Sequence, residues 1–289
     1  MGVKRALFDG AVRGVIRAFG LNGPSRAAAE FAARVEPVVT VSVEGRVLSF
    51  ASSGSWPHYR ATTLLTKEPE TIQWLNSFQP GEVLYDIGAN VGVYALYAAL
   101  IRGCRVIACE PGAANYARLV RNIELNRVED SITPLCVALT DRPGLGVLQM
   151  QTTEAGGSLA AFGEAIDQDE RPFVPVFRQA TMGMTLDGLA GLAGVPRPRH
   201  VKIDVDGFED RVVEGAARTL QDARVASVLI EINEARRSWR QLIDRMTAWG
   251  YAASVTQRKA NTSIHNYLFT RRVPEEASPA ACVGACAPC

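Results

Sequence analysis

Two acidic residues set around a run of small ones are the first groups in this chain that can do chemistry. In "YDIGANVGVYAL" (residues 85–96) Asp86 precedes a bend made of Gly88, Asn90 and Gly92. The two-residue steps between these positions break the G-x-G-x-x-G spacing of a dinucleotide turn, and Val93 stands where its third glycine would be. No G-x-x-x-x-G-K-[ST] phosphate loop is present either. What the stretch can do is set a carboxylate near an ammonium group, directly or through water. Gly88 and Gly92, lacking a Cβ, let backbone approach a ligand closely. Glu110 follows 24 positions after Asp86, at the end of the next apolar run. There a carboxylate can accept hydrogen bonds from both hydroxyls of a ribose. A nucleoside carrying an amino acid and a cationic centre satisfies both acids, and S-adenosylmethionine is such a compound. A glycine turn used for packing and a merely solvated acid are the competing readings; their register at successive strand ends favours the nucleoside.

A second group lies further on. Lys202, Asp204 and Asp206 alternate in "VKIDVDG" and share one face for as long as the strand lasts. A sulfonium methyl is already electrophilic, so the protein has chiefly to align an acceptor oxygen and take its proton. Asp204 is the candidate general base or orienting group and Lys202 its charge partner; a structural ion-pair cluster is the alternative. Glu231 and Asn233 repeat the pattern at the end of the following strand. With Asp204 they offer oxygens that suit magnesium, but a divalent site also needs waters and a set geometry, so metal-independent chemistry is the expectation. Glu209 can instead favour its helix from the first turn. Among the three histidines, His58 in "SWPHYR" is the one placed, with Trp56 and Tyr59, to line an acceptor pocket. Asp206 and Glu231 are the other candidate substrate contacts.

The elements that must hold these groups follow from the apolar pattern. "EVLYDIG", "CRVIACEP", "ITPLCVALT", "HVKIDVDG" and "VASVLIEIN" read as buried strands, separated by the helices "VGVYALYAALI", "ANYARLVRNIELN" and one starting at Glu209. "SWRQLIDRMTAWG" is a further helix, and "YAASVTQ" and "HNYLFTRR" are closing strands. Such alternation implies an α/β fold whose mainly parallel sheet is covered on both faces, with ligands outside the strands' carboxyl ends. Residues 144–150 read as a hairpin, and 152–179 as a candidate lid, too long for a plain connection. Before residue 81 come a helix at "SRAAAEFAARV", two strands around Glu44-Gly45, the "SWPHYR" loop and the helix "EPETIQWLNSF". The expected division is an extension over 1–80, able to cap the acceptor site, a catalytic domain over 81–273, and a disordered tail over 274–289.

"DIGANVGVYAL", "CEPGAANYARLVRNIELN", "VALTD", "TLDGL" and above all "VKIDVDGFEDRVVEGA" resemble the FkbM family of S-adenosylmethionine-dependent methyltransferases, over about residues 82–235. The resemblance implies the class I methyltransferase fold, a Rossmann-like seven-stranded sheet with an antiparallel last strand, and transfer to an oxygen of a sugar, glycan precursor or secondary metabolite. It places Asp86, Gly88, Asn90 and Gly92 at the methionine end and Glu110 at the ribose, with Asn115 and Ala138 nearby. One departure is Asp206, where many members carry Glu. Two other readings remain: a non-catalytic nucleoside-binding or scaffold protein on the same fold, and an NAD-dependent oxidoreductase, which the glycine spacing disfavours.

Composition bounds the partners. With 31 basic and 30 acidic residues the net charge is +1, which makes a polyanion such as nucleic acid a poor first choice and a small-molecule or saccharide acceptor a better one. The 289 residues suit one elaborated domain. No apolar run reaches the ~18 uncharged residues of a membrane span, and charges interrupt the N-terminus, so a cytoplasmic protein without stable membrane insertion is expected. Leu7, Val15, Ile16 and Phe19 can form one side of an N-terminal helix that docks on its own domain. Cys104, Cys109 and Cys136 read as small core residues; Cys282, Cys286 and Cys289 lack the fourth ligand of a closed zinc site. Oligomeric state has no signature in the sequence.

Overall fold

The computed structural model describes residues 2–18, 20, 30, 34–256 and 262–272. Phe19, most of the helix expected over 25–35 and the tail cysteines lie outside the described residues. Helix α1 spans Gly2–Ala18. Alternating β-branched residues make strands β1 (Val38–Val43) and β2 (Arg46–Ala51), which pair antiparallel. Their two-residue turn, Glu44-Gly45, has φ of 48° and 77°, the left-handed pair such a turn requires. "SWPHYR", expected as a loop, is helix α2 (Ser55–Thr62). Its Pro57 falls in the first turn, where no backbone N–H needs an intrahelical partner. Helix α3 (Pro69–Asn76) starts on a proline for the same reason.

The parallel half-sheet follows as β3 (Val83–Ile87), α4 (Val93–Leu100), β4 (Arg105–Cys109), α5 (Ala113–Asn126) and β5 (Ile132–Leu135). The chain then leaves this sheet. β6 (Ala138–Leu139), β7 (Gly144–Met150), β8 (Ala160–Phe162) and β9 (Phe177–Met184) form a second sheet in the order β6-β9-β7-β8. Two expectations are corrected here. "ITPLCVALT" is two strands in different sheets, and residues 144–150 are one strand, paired along its length with β9. Cys136, at the break, is exposed rather than a core residue.

The main sheet is completed by α6 (Leu186–Ala190), β10 (His200–Ile203), α7 (Glu209–Glu214), α8 (Ala217–Gln221), β11 (Ser227–Asn233), α9 (Trp239–Ala248), β12 (Tyr251–Val255) and β13 (Ile264–Arg271). Its order is β12-β13-β11-β10-β3-β4-β5, with β13 antiparallel to both neighbours. The order reverses at β3, which lies between β4 and β10, and this opens a crevice at the strands' carboxyl ends.

Two cores cover the sheet. Leu84 packs on the side of α4 and α5 with Leu96 and Leu119; Tyr85, Ile87, Val201 and Ile203 pack on the other with Val212 and Leu242. The hairpin joins the first core through Leu48 and Phe50. Asn122, fully buried, ties it to the turn after β3: its Oδ1 accepts from Ala51 N and its Nδ2 donates to Val91 O, both at 2.8 Å. His200 serves packing at the opposite strand ends, stacked on Phe78 and bonded to Ser227 and Glu82. No described helix is long and apolar enough to cross a membrane.

Candidate active site

The turn after β3 is built by close approach. Gly88 has φ 83°, and a Cβ there would lie 1.8 Å from the carbonyl oxygen of Asp204 at the tip of β10. The two strand ends therefore touch backbone to side-chain-free backbone. Asn90 (φ 51°) donates its N–H to Glu110 Oε2 at 2.8 Å, coupling the first turn to the second strand. Gly92 also has φ 83°, but its missing Cβ makes room for Leu119 Cδ1, 2.4 Å away. It packs α4 on α5 and does not line the cleft, in contrast to its expected place at a ligand.

Asp86 is a second correction. It shares the face of Leu84, toward α4, because side chains alternate along β3. It is 1% exposed, does not line the cleft, and neither carboxylate oxygen has a hydrogen-bond partner among the described residues. Burial pushes its pKa up to about 6, against the pull of Lys202, its register partner on β10. Asp86 thus lies behind the wall of the cleft, beneath the turn.

Glu110 does face the cleft. Its Oε1 accepts from Gly112 N at 2.8 Å and Asn115 Nδ2 at 3.4 Å, besides the Asn90 bond to Oε2. Burial raises its pKa to about 7 even so. Three protein donors leave roughly one of about four lone-pair positions, so Glu110 alone does not serve both hydroxyls of a ribose here. The other positions are governed by the segment read as a lid. Gly157 O accepts from Asn90 Nδ2 and Asn115 Nδ2, at 2.8 and 3.1 Å, and Gly156 N donates to Asn115 Oδ1 at 2.7 Å. Arg60 Nε donates to Gly156 O, and Leu159 N to Asp206 Oδ2 at 2.7 Å.

At the other end, Lys202 is 3% exposed and donates to Asp204 Oδ2 at 2.7 Å, with its ammonium 5.2 Å from the centre of the Tyr94 ring. Burial opposes the charge on Asp204, but Lys202, then Lys67 and Arg60, overcome it and hold the pKa at about 2. Strand β10 ends at Ile203, so the alternation does not reach Asp206, which has φ 57° and accepts from Leu159 N. Burial and Asp204 push the pKa of Asp206 up to about 6. Glu209 holds the intervening turn by accepting from Val205 N and Gly207 N.

Glu68, Asp204 and Glu231 bring one oxygen each within 4.8 Å of the others. Glu68 takes the place expected for Asn233, whose amide instead donates to Gln168 O and Asp169 Oδ1. Two of the three acids are already met by lysines: Lys67 Nζ donates to Glu68 Oε1 and Lys202 to Asp204. Lys67 and Glu68 escaped the sequence reading, yet a signal existed: the chain has only four lysines, and two of them, Lys67 and Lys202, meet at this cluster.

One cleft of about 440 Å³ joins both ends. Gly88, Asn90, Glu110, Asn115 and Ala138 line it, as do Asp204, Asp206 and Glu231; Lys202 stands just behind Asp204. Trp56, Tyr59, Arg60 and Lys67 close it from the N-terminal side. His58 does not line it; its Nδ1 lies 3.1 Å from Ser52 Oγ, because α2 turns the ring away from its neighbours' face.

The strand order, the reversed β13 and a cleft at the β3 switch point define a class I methyltransferase fold. The methyltransferase FkbM domain model matches residues 86–253, and the chain belongs to that family. It is 26% identical over 159 residues to the hexuronic acid methyltransferase AglP of Haloferax volcanii, covering 55% of this chain and 59% of that one. It is 24% identical over 219 residues to the 31-O-demethyl-FK506 methyltransferase FkbM of Streptomyces tacrolimicus, covering 67% and 82%. A shorter match, 36% over 78 residues, covers 27% of this chain and 16% of a tRNA (guanine(37)-N(1))-methyltransferase of Coprinopsis cinerea. Among solved structures the METTL16 methyltransferase domain overlaps with a TM-score of 0.45 at 13% identity, over 81% of this chain and 86% of that one.

Proposed function

We propose that the protein is an S-adenosylmethionine-dependent O-methyltransferase acting on a hydroxyl of a sugar, glycan precursor or secondary metabolite. The observation that supports this most directly is the single cleft running from Glu110 and Asn115 to Asp204 and Glu231. Its donor set fits the cofactor. Glu110 and Asn115 are placed for the ribose, the Gly88–Asn90 turn for the methionine end, and Val137, Ala138, Leu139 and Leu148 offer an apolar wall for a flat base. When bound, S-adenosylmethionine supplies an electrophilic methyl group on a positively charged sulfur. The chain's own residues then orient the acceptor hydroxyl, exclude water and receive a proton.

Residues 55–67 add Trp56, Tyr59, Arg60 and Lys67, and we assign acceptor choice to this part of the N-terminal extension. Exposed aromatic faces at Trp56 and Tyr59 can pack on the C–H face of a sugar ring, while carboxylates take its hydroxyls. Because two of the three acids, Glu68 and Asp204, are already paired with ammonium groups, transfer is expected to be metal-independent and to survive EDTA. Two relatives are named for a hexuronic acid and for an O-methylated natural product, which agrees with the reading. The match to a tRNA methyltransferase keeps nucleic acid among the acceptors to assay, although a net charge of +1 argues against it.

The test is transfer of labelled methyl from S-adenosylmethionine to a panel of methyl glycosides, uronic acids, polyketide alcohols and tRNA. Label on an oxygen of one of the small acceptors is the expected result. Label confined to an RNA base, or tight cofactor binding with no transfer to any acceptor, contradicts the assignment.

A further inference from the structure

We propose that Glu231, not Asp204, receives the acceptor's proton, while Asp204, fixed by Lys202, is the hydrogen-bond acceptor that aims the hydroxyl. The proposal rests on the O-methyltransferase reading and divides the work between two carboxylates that the sequence alone does not distinguish.

The two acids occupy the same level of the sheet. Ile203 pairs with Ile230 across β10 and β11, so Asp204 and Glu231 stand side by side one residue beyond. Both line the cleft, and their oxygens lie within 4.8 Å. Their surroundings differ. Asp204 is bonded to a buried ammonium at 2.7 Å, whereas Glu231 makes no hydrogen bond or ion pair among the described residues. The groups acting on Glu231 come from three directions: Asp204 and Asp206 after β10, Glu68 and Lys67 before α3, and Glu209 on α7. All but Lys67 are acidic.

That asymmetry decides where a proton goes. Protonating Asp204 would neutralise the hydrogen-bonded charge partner of Lys202 and leave an ammonium that is 3% exposed with only Asp86 and Glu68 as opposing charges. Protonating Glu231 removes one negative charge from a crowded set of carboxylates and breaks no existing bond. As the acceptor's oxygen–carbon bond forms and the carbon–sulfur bond breaks onto sulfur, the hydroxyl proton passes to Glu231. The cationic sulfur becomes a neutral thioether and the carboxylate a neutral acid, so charge balances within the cleft. In agreement, burial and then the surrounding acids raise the pKa of Glu231 well above the ordinary glutamate range, opposite to the shift of Asp204.

The test is a carbon-13 NMR titration of the full chain with labelled glutamate carboxyls, with and without S-adenosylhomocysteine, the Glu231 signal being identified by its loss in Glu231→Gln. The expected midpoint lies above the ordinary glutamate range, in the direction that burial and the surrounding acids push it. In the transfer assay Glu231→Gln is expected to lower kcat about 100-fold and to erase the acid limb of the pH profile. Asp204→Asn should raise the acceptor KM and keep that limb. A Glu231 midpoint in the ordinary range, or an acid limb intact in Glu231→Gln, overturns the proposal. Calorimetry with S-adenosylmethionine separates this from the parent reading: wild type that fails to bind refutes the methyltransferase assignment itself, whatever Glu231 titrates at.

Discussion

Gly88→Ala is expected to cost about 2 to 5 kcal/mol of stability and to abolish measurable S-adenosylmethionine binding. Two physical terms add. An alanine held in left-handed backbone costs about 1–2 kcal/mol, and Gly88 has φ 83°. Its Cβ would then lie 1.8 Å from the Asp204 carbonyl oxygen, which is backbone and not the end of a flexible side chain. Relief requires moving the tip of β10, where Asp204 N donates to Ile87 O at 3.0 Å. Overpacking of this kind adds roughly 1–3 kcal/mol. Gly194→Ala isolates the first term, because Gly194 has the same φ of 83° and nothing within 4 Å of its Cβ position. Urea unfolding of both variants checks the argument; equal losses at the two positions would show that the approach of the strand tips contributes nothing.

Lys202→Met is expected to destabilise the protein by about 3–5 kcal/mol, the usual consequence of removing one partner from a buried pair. Lys202 faces Asp204 at 2.7 Å and lies opposite Asp86, whose oxygens have no partner among the described residues. Losing the ammonium leaves the buried Asp86 without its nearest opposing charge and Asp204 with only the more distant Lys67 and Arg60. Lys202→Met combined with Asp204→Asn should recover part of the loss, so a double-mutant cycle reads the pair directly. The pH dependence has a definite sign. Asp204 has its pKa lowered from 3.8 to about 2 in the folded state, so its stabilisation is complete above 3.8 and is lost as pH falls through about 2. The gap between wild type and Lys202→Met should therefore be widest above pH 4 and narrow toward pH 2. A gap that does not change over that range would mean that Lys202 acts through packing on Tyr94.

The parts of this molecule that are local in sequence were legible, and the parts made by distant pairing were not. Alternating strand and helix patterns located β3, β4, β10, β11 and their crossovers, since each is one apolar run between turns. Nothing near residues 144–150 announces a partner at 177–184, so the sequence alone suggests a hairpin and a lid where the structure has a second sheet. The direction of Asp86 was hidden for a different reason. A parallel sheet buried on both faces gives no polar side against which to judge alternation, and Asp86 proved to face α4 rather than the cleft. Asp204 and Glu231 were visible as strand-end acids, but what divides them is Lys202, Lys67 and Glu68 brought together from 134 positions apart, from residue 68 to residue 202.

The measurement closest to the central claim is isothermal titration of the full chain with S-adenosylmethionine, with NAD as the comparison ligand and Glu110→Gln as the comparison protein. One saturable site for S-adenosylmethionine, no heat with NAD, and an affinity weakened roughly 10- to 100-fold in Glu110→Gln are predicted, since a hydrogen bond to a charged group contributes about 1.5–3 kcal/mol. No binding to wild type, tighter binding of NAD, or an affinity untouched by Glu110→Gln would contradict it.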